Sequence, residues 1–213
     1  RHPNKPILNC ARFGEFEKIK WLVEEAGHGR LPEVGRGVKR LADGLKEPGY
    51  AMHVKGLELP AYLPDTNPGY AWAIAGGHMS MGTYLMLFMQ NDTSLDYWVK
   101  AITERGLYQV RDDLIGLCKF AGANHKMVLQ AIKSATGLEV SQEDLLAATR
   151  RAYLRGLKLE RQQGYGDSDY TLPAQVFESP NPKLRTPNFV TPEFFRELKT
   201  RVWAVFDKEL AAL

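Results

Sequence analysis

The feature that most constrains this chain is the apolar stripe at its C-terminal end. From Pro192 to Leu213 the residues Phe195, Leu198, Val202, Val205 and Phe206 return every three or four positions, the period of one helix face turned to a core. Pro192 at the start suits a first helical turn, because its fixed φ is already helical. The same period predicts helices over Gly14 to Gly27, Pro32 to Leu45, Ser94 to Arg105, Asp112 to Ala121, Lys126 to Thr136 and Ser141 to Arg161. Ser141 with Asp144, and Thr93 or Ser94 before Tyr97, are capping arrangements. Tyr50 to Leu59 alternates too poorly for a strand and, followed by prolines at 60, 64 and 68, reads as a structured loop. Gly164 to Thr191, rich in Pro, Asn, Asp and Ser, reads as a second one. The expected fold class is all-α.

Tyr70 to Met89 is apolar on every side, with Trp72, four methionines and the pair Gly76-Gly77. Such a helix belongs in a core, and paired glycines kink it or admit a close neighbour. The longest apolar stretch, around Tyr84 to Met89, is far shorter than the roughly 20 residues needed to span a bilayer. With 28 basic against 25 acidic residues the net charge is +3, too little to argue for a nucleic-acid or membrane-surface partner. Two cysteines over a hundred residues apart, Cys10 and Cys118, make no disulfide framework and fit a reducing, cytoplasmic compartment. The opening Arg-His-Pro-Asn-Lys-Pro has neither Met nor an apolar leader, which suggests a chain cut from something longer.

Chemistry is densest at Asp113-Leu114-Ile115-Gly116-Leu117-Cys118. An acid there can accept hydrogen bonds from an amide, a guanidine-like ring edge or a helix N-terminus, glycine lets a planar ligand approach the backbone, and a thiolate can ligate iron. The same hexapeptide also reads as a helix start with a buried cysteine. His78, beside two glycines in the apolar segment, is either a proton donor or acceptor near a reacting oxygen or a buried histidine bonded to backbone. His53 and His125 lack a partner at ligand spacing and read as surface or packing residues. Asp167 and Asp169 lack the closing Glu and middle Gly of a calcium loop and read as a turn.

Asp113, Gly116, Leu117 and Cys118 are similar to the D-x-x-G-L-C motif of the tungsten-pterin aldehyde:ferredoxin oxidoreductase family. Other segments agree in order and spacing. Val54-Lys55-Gly56-Leu57-Glu58-Leu59-Pro60-Ala61-Tyr62 resembles the family's v-K-G-l-E-x-P-a-Y stretch. Arg12-Phe13-Gly14 followed by Gly35-Arg36-Gly37-Val38 resembles its F-G-n and x-G-v-k-r helices. Arg150 through Gly164 to Thr171-Leu172-Pro173 resembles its late E-R…D-x-L-P signature.

The resemblance implies the helical domains 2 and 3 of that family, here 1–92 and 93–213. It implies a tungsten bis-pterin (tungstopterin) and a 4Fe-4S cluster, both needing a preceding N-terminal domain that carries the family's three clustered cysteines and its first D-x-x-G-L motif. Asp113 would bond one pterin edge, Gly116 and Leu117 would let the backbone meet the ring, and Cys118 would be the fourth cluster ligand. The implied activity oxidises an aldehyde to a carboxylic acid and passes the electrons to ferredoxin, in a protein that could also be a homo-oligomer. Two departures bear on the substrate. The family's Y-D-P-R becomes Tyr62-Leu63-Pro64-Asp65, and its A-T-S-n-R-G-x-x-H stretch becomes Ala73 to Met81, with Met81 rather than His78 under the histidine. A branch acting on aromatic-ring thioesters is one alternative, and a non-catalytic helical module for subunit contact is another.

Overall fold

The structure is a computed structural model, and it describes residues 14–59, 67–76, 92–118, 121–178 and 189–213. Among the described residues its regular elements are helices, except for one hairpin of two-residue strands. Two long helices form its centre. α7, Gln142–Gln162, starts at Ser141, whose hydroxyl accepts from the Asp144 amide, and α9, Pro192–Leu210, starts at Thr191, which accepts from Phe194. Both caps satisfy amides that the first turn leaves without helical partners.

Between them runs a rod. α4, Leu95–Lys100, capped by Ser94, passes through a π turn, Ala101–Arg105, into α5, Gly106–Leu114. The sequence reading breaks this rod after Arg105 and restarts it at Asp112. The chain instead runs straight through Gly106, because the π turn absorbs the extra residue while Ala101, Ile102 and Thr103 stay buried. α5 is antiparallel to α7: Arg150 donates to the Thr103 carbonyl at 3.2 Å, and Gln142 to the Tyr108 hydroxyl at 3.5 Å. Trp72, Trp98, Ile102, Tyr153, Leu157, Leu198, Val202 and Phe206 fill the space between rod, α7 and α9. The Tyr153 hydroxyl donates to the Trp72 carbonyl at 2.7 Å, so its polar end is satisfied inside the core.

The N-terminal elements sit on this centre. α1 is Phe16–Gly27, and the single helix expected over Pro32 to Leu45 is two, α2 (Pro32–Gly35) and α3 (Val38–Leu45). Gly37 separates them at φ +92°, a left-handed conformation that ends one helix and starts the next. The expected loop at 50–59 contains the hairpin, β1 (His53–Val54) paired antiparallel with β2 (Leu57–Glu58). Lys55 and Gly56 turn it with φ of +54° and +90°, the pair of left-handed residues that a tight hairpin of this twist needs. The stretch after Gly164 is no solvent loop either: Tyr170, Leu172, Val176 and Val190 are buried, and α8, Ala174–Glu178, lies within it. The apolar segment read as a core helix from Tyr70 opens instead within a buried 3-10 turn, Pro68–Trp72. Residues 77–91, His78 among them, lie outside the described residues.

Leu198 is fully buried in this core. Leu198→Ala is expected to lower unfolding free energy by about 2–5 kcal/mol, the range for removing a buried leucine and leaving a cavity. Urea titration checks this, and a loss below about 1 kcal/mol would contradict the packing.

Candidate functional site

The Asp113–Cys118 segment is a helix end. Gly116 adopts φ +73°, its amide donates to the Asp113 carbonyl at 3.1 Å, and the Leu117 amide donates to the Asp112 carbonyl at 2.8 Å. This pair of crossed bonds is the Schellman termination, which requires a left-handed residue where Gly116 stands. The helix therefore stops at Leu114 and not at Ala121. Cys118 is exposed beyond it, contrary to the reading of a helix start with a buried cysteine. Asp113 is exposed as well, Leu117 is half-buried, and Leu114 and Ile115 show 56% and 40% of their surface. No heavy atom lies within 4 Å of where a Gly116 side chain would begin. The structure thus brings the four sequence-chosen residues to one open end, with apolar side chains beside an acid and a thiol.

Behind this end the loop is tied down. The buried Arg111 guanidinium gives Nε and Nη2 to the Asp112 carboxylate at 2.8 and 2.5 Å, and Nη1 meets His125 Nδ1 at 2.8 Å. His125 also lies against the Tyr108 ring, 4.9 Å between centroids. His125 opens α6, His125–Thr136, so Arg111 joins the end of α5 to the start of the next helix across the loop that carries Cys118. Of the surface or packing roles expected for His125, the structure shows packing against Tyr108, together with a hydrogen bond to Arg111 that the sequence did not suggest.

A second polar constellation went unread in the sequence. Lys55 and Glu160 expose 0% and 4% of their side chains and pair at 2.9 Å. Lys55 Nζ also donates to the Ala73 carbonyl at 2.9 Å. Glu160 accepts from the Ala75 amide at 2.7 Å and from the Tyr170 hydroxyl at 2.8 Å. The Lys55 ammonium stands 4.1 Å from the centre of the Tyr170 ring. Burial lowers the Lys55 pKa against the pull of its Glu160 bond, and burial first, then the bond to Glu160, raises Tyr170 well above the ordinary phenol range. The only sequence signal was that the K-G-l-E and E-R segments both matched one family. Nothing in either segment says that they meet.

The two constellations lie at opposite ends of α7. Glu160 and Asp113 are each ten residues from the Arg150–Thr103 contact, in opposite directions along antiparallel helices. At 1.5 Å per residue they are roughly 30 Å apart. Among the described residues no group of three or more His, Cys, Asp or Glu side chains could hold a metal ion. No helix there is long and apolar enough to cross a membrane.

An acid, a left-handed glycine and a free thiol thus share one open helix end. The family model for aldehyde ferredoxin oxidoreductase, domains 2 and 3, matches residues 6–206, and the chain belongs to that family. It is similar to the tungsten-containing aldehyde ferredoxin oxidoreductases of Thermococcus kodakarensis, at 26% identity, and Pyrococcus furiosus, at 27%. Each match runs over 189 residues, 81% of this chain and 31% of the relative. The chain thus spans about a third of the length of the curated relatives it matches.

Removing the Glu160 charge alone should strand a buried ammonium. Glu160→Gln is expected to cost about 3–5 kcal/mol, and Lys55→Met with Glu160→Leu to recover most of it. A double variant as unstable as the single one would refute the pairing. His53 supplies a pH test. Its Nδ1 accepts from the Gly56 amide at 3.2 Å, and burial first, then Lys39, lowers its pKa. The unfolded chain binds the proton more readily, so stability present above about pH 6.5 falls as the pH drops through and below that value. In His53→Gln this decline should be shallower, read as urea midpoints between pH 7.5 and 5.

Proposed function

We propose that this chain is the cofactor-closing part of a tungsten-pterin oxidoreductase, with the Asp113–Cys118 end as the face that meets the cofactors. The observation that carries the reading is the exposure of Cys118 beside exposed Asp113, Leu114 and Ile115, held by a terminated helix and the Arg111 tie. The donor set fits the groups the family implies. A free thiol suits iron, a carboxylate suits the amino-substituted edge of a pterin, and open space at Gly116 with apolar neighbours suits a flat ring. When bound, the tungsten centre would take two electrons and two protons from an aldehyde and water, leaving a carboxylic acid, and the 4Fe-4S cluster would pass the electrons singly to ferredoxin.

This chain's residues then have distinct tasks. Asp113 accepts hydrogen bonds from the pterin edge. Gly116 and Leu117 present backbone to the ring, which a side chain at position 116 would hold away. Cys118, as thiolate, ligates one iron, and because its loop also carries the pterin contacts it sets the gap the electrons cross. A cluster of this type takes about four thiolates, and the sequence has only two cysteines, so further ligands come from the rest of the protein. His78 keeps its proposed part as a proton donor or acceptor near the substrate. The setting is a cytoplasmic enzyme with ferredoxin as acceptor.

Metal analysis of the full-length protein tests this. The wild type should hold about four irons and one tungsten per chain. Cys118→Ala should lose most of the iron, and Asp113→Asn should lower tungsten while keeping iron. Full iron in Cys118→Ala, or a folded protein holding neither metal, would leave a helical structural module in place of an enzyme part.

A further inference from the structure

A second recess lies at the far end of the fold from Cys118. It is a cleft of about 510 Å³ lined by Arg36, Lys39, Arg40, Lys55, Leu57 and Tyr165, and by the one carboxylate of Asp169. The charges inside it are not balanced by one another. Lys55 is held by buried Glu160, and Lys39 pairs with Asp43 at 3.3 Å. The Asp169 carboxylate accepts from the Gly166 amide at 2.9 Å. Among the described residues no carboxylate pairs with Arg36 or Arg40; Arg40 reaches only the Arg36 carbonyl, at 3.5 Å.

The placement of these cations is unfavourable for folding. Lys39 and Arg40 stand in the first turn of α3 and Arg36 just before it, with no acid in that turn. A helix start carries partial positive charge, so cations gathered there weaken the helix. The helix amides are not themselves the attraction, because the Val38 N–H already donates to Glu58 at 2.8 Å. Two guanidiniums that line one cleft without a carboxylate partner among the described residues are instead suited to forked hydrogen bonding of an oxyanion. The lining also offers apolar surface: Leu57 is 40% exposed and Tyr165 half-buried.

We propose that this cleft binds an organic oxyanion, a phosphate monoester or a carboxylate, with its charged head between Arg36 and Arg40 and its carbon part on Leu57 and Tyr165. The site is independent of whether the Cys118 end meets a cofactor. Calorimetric titration of the purified protein with phenyl phosphate and with phenylacetate tests it, and the tighter of the two identifies the oxyanion. At least one should bind with Kd below about 1 mM, a modest affinity for two charge-assisted contacts. Arg36→Gln with Arg40→Gln should weaken that binding tenfold or more. The melting temperature of the double variant should stay the same or rise, since it removes repulsion at the start of α3. Arg40→Lys, which keeps charge without the fork, should recover only part of the affinity. Absence of binding by both compounds at millimolar concentration, or binding unchanged in the double variant, would overturn the assignment.

Discussion

The Glu160 carboxylate is the constraint on which the arrangement depends. A buried charge is tolerated only where its hydrogen-bonding capacity is filled. Here Lys55, the Ala75 amide and the Tyr170 hydroxyl fill it. Those three partners belong to the hairpin turn, the segment after the Pro68–Trp72 turn, and the stretch following α7. One side chain near the end of the longest helix therefore locates three irregular segments whose own backbone patterns would not hold them. Lys55 occupies a left-handed position, and its ammonium reaches Glu160 only because the hairpin turns there.

The same logic links the other segments that resemble the family. Glu58, four residues after Val54 in the K-G-l-E stretch, accepts from the Val38 amide at 2.8 Å and so caps the helix of the x-G-v-k-r stretch. Its carboxyl is held below the usual carboxylate range chiefly by that bond. Segments that looked like separate signatures are parts of one staple around the hairpin. The D-x-x-G-L-C segment differs from them. Its backbone is closed by its own helix termination, and its acid and thiol are exposed. Residues that hold the fold and residues offered outward are thus divided between the two ends of α7.

Much of the helical framework was legible along the chain. Ser141 and Ser94 cap α7 and α4 as the sequence suggests, and the apolar stripe of α9 is the stripe that packs. Local chemistry determines these features: a side-chain oxygen reaching an amide three residues on, and a repeat every three or four residues. The breaks were less legible. Gly37 and Gly116 both end helices at positive φ, yet a glycine within a periodic run does not announce whether the helix continues through it, as it does at Gly106. Continuity there rests on the burial of Ala101 to Thr103 against α7 and α9, which is a tertiary matter.

By itself the sequence determined the fold class, the long helices with the Ser141 cap, and the choice of Asp113, Gly116, Leu117 and Cys118 as one constellation, because each depends on residues a few positions apart. Only the tertiary structure decided that Cys118 is exposed at a helix end, that Lys55 meets a carboxylate 105 residues away, and that Arg36 and Arg40 share a cleft with Lys55 and Tyr165. The physical reason is distance along the chain. Hydrogen-bonded turns and caps are closed within one or two turns of backbone, whereas burial and charge pairing depend on which segments packing brings together.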